Sequence, residues 1–263
     1  MNTIKELMNN WNIFHIRKEN IYMCGRFAWF NKSTEIIDAF KTVNLNIEKD
    51  PIADIPSYNI APSQKIIVIK SESKTSLNFQ QMKWGLEPPK IKYGFDERFT
   101  DKLNLFNARA DKISNSWPWQ TLYENNRCLI PCSGYYEWTK SSMFSKSSTP
   151  FITQMKDKKP FYLAGLFSKP TEAFNEKDKG SCTIITTEAN SLQGKIHKRM
   201  PVIIPVENAS LWLNREIHNY CDIQELLKPH PSSSMEMWPV SNKIGDVRNN
   251  DIELIKPISR LLF

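Results

Sequence analysis

Met23 is followed by Cys24, and a cysteine in that place becomes an N-terminal residue wherever translation or processing begins at it. An N-terminal cysteine is a 1,2-aminothiol. Its α-amine, with a reference pKa of about 7.7–8.0, is partly neutral near pH 7 and attacks an aldehyde to give a Schiff base. The thiol of the same residue then closes a five-membered thiazolidine, an intramolecular step that makes the adduct more durable than a simple imine. The competing reading is a buried cysteine at the start of a strand, because cysteine is among the most buried residue types.

Other clusters carry groups suited to chemistry. In Asn107-Ala108-Arg109-Ala110-Asp111, an amide and a guanidinium two apart share one face of an extended segment and suit a phosphate with a neighbouring polar group. The alternative there is a turn with a surface ion pair. Residues 127–138 read RCLIPCSGYYEW. As a strand, Tyr135 to Trp138 points Glu137 opposite its two aromatic neighbours. A carboxyl desolvated by aromatic rings has a raised pKa and serves as an acid or base; otherwise Glu137 is an ordinary exposed strand residue. His197 lies in the basic stretch Ile196-His197-Lys198-Arg199-Met200-Pro201, with Arg199 placed where an anionic substrate would lie. Cys128 and Cys132 have three residues between them, but no second close Cys/His pair completes a tetrahedral set, so neither a metal nor another cofactor is expected.

The elements that must hold these groups read as mixed α and β. Asn31 to Phe40 has Ile36, Ile37 and Phe40 on one helical face, with Ser33 or Thr34 available as a cap. Lys65 to Lys70, Phe161 to Phe167 and Cys182 to Thr187 read as buried strands, and Pro201 to Ile204 as a shorter one. Helices are expected at Glu188 to Lys195, Glu207 to Asn214 and Asp222 to Lys228. Ser141 to Thr149 and Thr171 to Gly180 read as surface loops. No repeat of fixed period divides the chain.

With 263 residues, 40% of them hydrophobic, the chain can bury one sizeable core, and a single domain is expected. The 35 Lys and Arg against 28 Asp and Glu give a net charge of +7, which suits a polyanion partner without requiring one. An odd count of five cysteines, with no signal-peptide pattern ahead of them, argues for a reduced intracellular setting. No apolar run approaches the roughly 20 residues of a membrane span. Residues 1–22 differ from the rest: polar, Asn-rich, and carrying Glu6 and Glu19, which argue against a mitochondrial presequence. They read as a mis-assigned start, a removable leader or a short amphipathic extension.

Taken in order, the clusters resemble the SRAP family, the SOS response-associated peptidases also known as abasic-site shielding proteins. The resemblance runs from Cys24 to the C-terminal region. It rests on MCGRF at 23–27, YNIAP at 58–62, WGLEP at 84–88, NARAD at 107–111, RCLIPCSGYYEW at 127–138, AGLF at 164–167, TIITTEAN at 183–190, IHKRMPVII at 196–204 and PVSNKIGDVRNND at 239–251. It implies an α+β fold, one SRAP-like domain over residues 23–263 with a mostly antiparallel, barrel-like β core flanked by helices. The implied function is recognition of abasic sites in single-stranded DNA and a covalent thiazolidine link to the ring-opened sugar, shielding the lesion in the DNA damage response. Cys24 would be the nucleophile, Asn107 would hold the cysteine backbone or a sugar hydroxyl, Glu137 would move protons and His197 would assist Schiff-base chemistry. Arg26, Arg109 and Arg199 would contact phosphates. Pro62, Trp84 and Leu86 would stack on bases or wedge between them, and Trp138 and Thr186 would line the site. A monomer in the cytoplasm, nucleoid or nucleus is implied.

The chain departs from the family pattern in places. Residues 1–22 precede Met23, and while they remain attached the Cys24 nitrogen is an amide and thiazolidine formation is blocked. Lys90 stands where the family commonly has tryptophan. Lys198 replaces a residue that is often Asp or Asn, and its charge disfavours a protonated His197. Two other functions compete with the covalent one: a cysteine peptidase that cleaves between Met23 and Cys24, and a non-covalent single-stranded DNA-binding module.

Overall fold

The computed structural model describes residues 24–47, 55–87, 105–139, 148–169 and 180–258. Residues 1–22, Lys90 and most of both expected loops lie outside these. In chain order the strands are β1 (Phe27–Trp29), β2 (Asn46–Ile47), β3 (Ser57–Ile60), β4 (Lys65–Ser71), β5 (Ser76–Trp84), β6 (Asn107–Arg109) and β7 (Arg127–Cys132). They continue as β8 (Gly134–Trp138), β9 (Pro150–Met155), β10 (Phe161–Ser168), β11 (Ser181–Glu188), β12 (Arg199–Pro201), β13 (Ile203–Ile204) and β14 (Met235–Pro239). Short helices α1 (Ser33–Lys41), α2 (Trp119–Tyr123), α3 (Ala209–Leu213) and α4 (Tyr220–Ile223) lie between them.

Two sheets form. One has the order β14-β9-β8-β1-β3. In the other, β11-β10-β7-β4-β5 are neighbours, and β5 pairs again with β11, so the strands close a ring. Most pairings are antiparallel; β5 and β6 run parallel to β11, and β2 runs parallel to β5. The apolar runs explain the ring. Every residue of β7 and β10, and all of β11 but Glu188, is buried, as continuous Val/Ile/Leu-type strands covered on both faces must be. Gly165 lets β10 pass between β7 and β11, because a Cβ there would lie 2.9 Å from Cys128 Sγ and 2.9 Å from the Thr183 oxygen.

The main core includes Phe27 and Tyr135 of the first sheet with Trp84, Leu129 and Ile184 of the ring. A smaller core under Tyr136, Ala28 and Ile152 is covered by Val240, Ile244 and Leu254 of the C-terminal segment. Arg127, at the head of β7, is buried and charged. It is satisfied by the carbonyls of Tyr123, Glu124, Trp212, Asn214 and Ile217, which staple α2 and α3 to the ring. Burial lowers its pKa to about 10, and no carboxylate is needed because five carbonyl dipoles serve instead.

Two local expectations change. The cap of α1 is Lys32, whose N–H donates to the Glu35 carboxylate at 2.9 Å, while Ser33 is already the first helical residue. Glu188 to Lys195 is not a helix: β11 runs through Glu188 and only Gln193–Lys195 forms a 3-10 turn. Asn190 is the cause. Its side-chain oxygen accepts from the N–H groups of Leu192 and Gln193, an Asx turn that competes with a continuous helix.

Candidate functional site

β8 places Glu137. Its residues alternate, so Tyr135 enters the main core and Tyr136 the smaller one, and Glu137 projects on the Tyr135 side. β1 lies beside β8 with Phe27 opposite Tyr135 and Ala28 opposite Gly134. Cys24, just ahead of β1, therefore reaches the Glu137 carboxyl, and its backbone N–H donates to Oε1 at 2.6 Å. Both residues are buried, Cys24 at 1% and Glu137 at 2% exposure.

Burial drives the chemistry of this pair. Desolvation pushes Glu137 up to about 8, against the opposing pull of the N–H groups of Cys24 and Trp138. A group with that pKa is a proton donor near neutrality. The Cys24 thiol is raised well above its ordinary value, first by burial and then by the nearby Glu137 and Cys132. It is therefore held as a thiol. Cys24 also has φ +44°, a left-handed conformation that costs a non-glycine residue roughly 1–2 kcal/mol.

A second group lies along β11. Asn107, Ala108 and Arg109 of β6 pair with Ile184, Ile185 and Thr186, while Thr186 and Glu188 pair on the other edge with Pro201 and Arg199 of β12. This register sets Arg109 opposite Thr186 and brings the Arg199 guanidinium onto the Thr186 hydroxyl. Thr186 Oγ1 donates to the Ala108 carbonyl at 3.3 Å and accepts from Arg199 Nε and Nη2 at 3.3 and 3.1 Å. Arg109 donates from Nε and Nη2 to the two carboxylate oxygens of Asp111 at 3.1 and 2.7 Å. Arg199 Nη1 lies 3.5 Å from Asp111 Oδ1. His197 precedes this strand and is buried; its Nδ1 lies 3.1 Å from the Arg199 nitrogen and 3.2 Å from the Arg199 carbonyl oxygen, so that ring edge faces the Arg199 backbone.

Gln193 connects the two groups. Its Oε1 accepts from Tyr135 Oη at 3.0 Å and from Thr153 Oγ1 at 3.3 Å, and its carbonyl accepts from the His197 N–H at 3.0 Å. The strand that carries Glu137 is thus tied to the loop that carries His197. No motif marks a lone glutamine in an expected helix, so sequence reasoning passed over it. The Arg109–Asp111 ion pair is the surface ion pair that stood as the alternative reading of residues 107–111.

The structure gives several of the expected DNA-contact residues partners within the protein. Trp84 has 0% exposure; its Nε1 donates to the Phe106 carbonyl and it meets Phe27 and Phe106 edge-on, so it offers no face to a base. Leu86 is buried as well. What Trp84 does is hold the turn of Pro62: the Ser63 N–H donates to its carbonyl, and its N–H donates to that of Gln64. Pro62 itself is only half-buried. Arg26 Nη1 donates to Asn59 Oδ1 and the Ile244 carbonyl, and its guanidinium lies 6.0 Å from the Trp138 ring, so it clasps β1 to β3 and the C-terminal segment. Thr186 is wholly buried and braces Arg199. Among the described residues no group of three His, Cys, Asp or Glu could hold a metal ion, and no helix is long and apolar enough to cross a membrane.

Comparison with known proteins adds independent findings. Residues 23–247 match the family model described as SOS response associated peptidase (SRAP). The chain is 35% identical over 237 residues to the abasic site processing protein YoqW of Bacillus subtilis, covering 89% of this chain and 99% of that protein. It is 29% identical to the abasic site processing protein YedK of Escherichia coli, covering 90% of this chain and all of YedK. A solved structure of a Bacteroides thetaiotaomicron protein superposes with a TM-score of 0.74 at 23% identity, over 89% of this chain and all of the other.

Proposed function

Because the chain belongs to the SRAP family, we propose that it captures abasic sites in DNA by a covalent bond to Cys24. The observation that carries this reading is the 2.6 Å contact between the Cys24 nitrogen and Glu137 Oε1. It puts a proton-transfer group against the one backbone nitrogen that becomes a free amine when the chain begins at Cys24.

The steps balance without a cofactor. The Cys24 amine adds to the aldehyde carbon of the ring-opened sugar, and the resulting carbinolamine loses water. Glu137, against the Cys24 nitrogen, accepts a proton from nitrogen and supplies one to the departing oxygen. The Cys24 sulfur then adds to the imine carbon while its proton passes to the nitrogen, closing the thiazolidine. His197 and Asn107 serve to hold the sugar, and Arg109 and Arg199 hold the flanking phosphates of a single strand, bound by one copy of the protein. The raised Cys24 pKa favours this order, with amine before sulfur, and disfavours a peptidase that needs a resident thiolate.

Release of residues 1–23 belongs to the same reading. Glu137 lies where it can protonate the nitrogen leaving from a hydrolysed Met23–Cys24 amide, and cleavage there abolishes the φ of Cys24 and its strain. Intact-mass spectrometry of protein from its native host, before and after mixing with single-stranded DNA bearing one abasic site, tests the whole. A mass beginning at Cys24 and a denaturation-resistant adduct absent from Cys24→Ala are the expected results. A chain that begins at Cys24 yet forms no adduct would refute covalent capture and leave non-covalent binding.

A further inference from the structure

Asp111 occupies an unusual place for a surface carboxylate. Both of its oxygens accept from Arg109, and one of them also lies 3.5 Å from Arg199. The Arg109 hydrogen bonds, more than the proximity of Arg199, hold its carboxyl below the usual range, so it is charged at any working pH. The two arginines are built differently. Arg199 has a side chain 14% exposed and is fixed by Thr186, whereas Arg109 and Asp111 have side chains about half-exposed at 53% and 50%. A planar carboxylate between two guanidinium forks has the charge and the hydrogen-bond geometry of one phosphate edge. Without a counter-charge, Arg109 and Arg199 repel each other, a penalty that also lowers the Arg199 pKa after the larger effect of burial.

We propose that Asp111 is an internal stand-in for a DNA phosphate, seated between Arg109 and Arg199 in the free protein and displaced when a strand binds. The inference rests on the reading that a DNA backbone is the ligand. It adds that capture is an exchange of anions rather than a simple filling of a positive site. The carboxylate must swing away from its bidentate partner, which the half-exposed Arg109 permits, while Arg199 stays braced on β11. The consequence is selectivity. Every intact strand competes with Asp111 and is held weakly, whereas a strand with an abasic site is retained by the bond at Cys24 after the exchange.

The test is the affinity of the full chain for a short labelled oligothymidylate without any abasic site, measured by fluorescence anisotropy across a salt series. For Asp111→Asn the expected result is binding tighter by roughly two- to fivefold, the scale of one exposed ion pair. The log–log salt slope should steepen by about 0.7, as one more net charge becomes available to release counterions from a single strand. Asp111→Glu should stay near the unaltered protein, and Arg109→Gln combined with Asp111→Asn should lose the gain. Weaker binding by Asp111→Asn, or an unchanged or shallower slope, would overturn the proposal and make Asp111 a residue that merely orients Arg109. Crosslinking to an abasic strand is scored separately. A missing adduct with the anisotropy gain intact refutes covalent capture alone, and an adduct without the gain refutes the exchange alone.

Discussion

The Cys24–Glu137 pair and the Arg109–Asp111–Arg199 cluster solve opposite electrostatic problems. The first is sealed in the main core, and desolvation raises both proton affinities, bringing Glu137 toward neutrality and holding Cys24 as a thiol. The second lies at a sheet edge, where its charges are kept as charges by pairing with one another. A buried arginine pair would lose its reach for a strand, and an exposed glutamate would return to an ordinary carboxylate that donates no proton at pH 7. Under the proposed function, bond formation belongs to the interior and capture to the rim.

The sharpest break between the two regions comes from Cys24→Ala, which should abolish the denaturation-resistant adduct while leaving affinity for an intact strand and its salt slope unchanged; gel shift with and without denaturant reads both. Next in size, Glu137→Gln should slow adduct formation by about 10²-fold or more, the usual worth of a positioned acid–base group. Its rate should also lose whatever part of its pH dependence comes from Glu137; single-turnover crosslinking across pH is the measurement. Stability reads the same group. In the chain with residue 23 attached, folding holds a proton on Glu137 that the unfolded chain releases above its ordinary 4.5. Stability is therefore full below that value and declines as pH rises toward about 8, by up to a few kcal/mol. Denaturant midpoints should show the decline, and Glu137→Gln should flatten it. A chain beginning at Cys24 should flatten it too, because an α-ammonium at 2.6 Å stabilises the carboxylate. The smallest effects belong to the rim: Arg199→Gln and Arg109→Gln should each make the salt slope shallower by about 0.7 and weaken intact-strand binding severalfold, with the rate of bond formation at saturating DNA little changed.

Much of the framework was legible because its signals are local. A β-branched run at 65–70 and apolar runs at 161–167 and 182–187 marked strands now seen at Lys65–Ser71, Phe161–Ser168 and Ser181–Glu188, and the alternation around Glu137 correctly opposed it to Tyr136 and Trp138. What sequence could not supply was the partner of each group. Trp84 and Leu86 stand in a motif rich in surface-type residues, yet the pairing of β5 with β11 carries them inside. Arg26 looks free beside Gly25 until Asn59 and the Ile244 carbonyl, brought from distant parts of the chain, accept from it. The helix expected at Glu188 to Lys195 has helical composition, but Asn190 spends its side chain on the backbone instead.

β11 borders β10, β12, β5 and β6, so one strand serves as the common ruler for Asn107, Arg109, Thr186 and Arg199. A slip of β11 by a single residue would turn Thr186 to the opposite face and remove the brace of Arg199 and the alignment of Arg109 together. The Cys24–Glu137 pair, measured from β1 and β8 of the other sheet, would keep its spacing. A one-residue insertion in β11 would thus unseat the Arg109–Thr186–Arg199 arrangement in a single event and leave the Cys24–Glu137 pair in register.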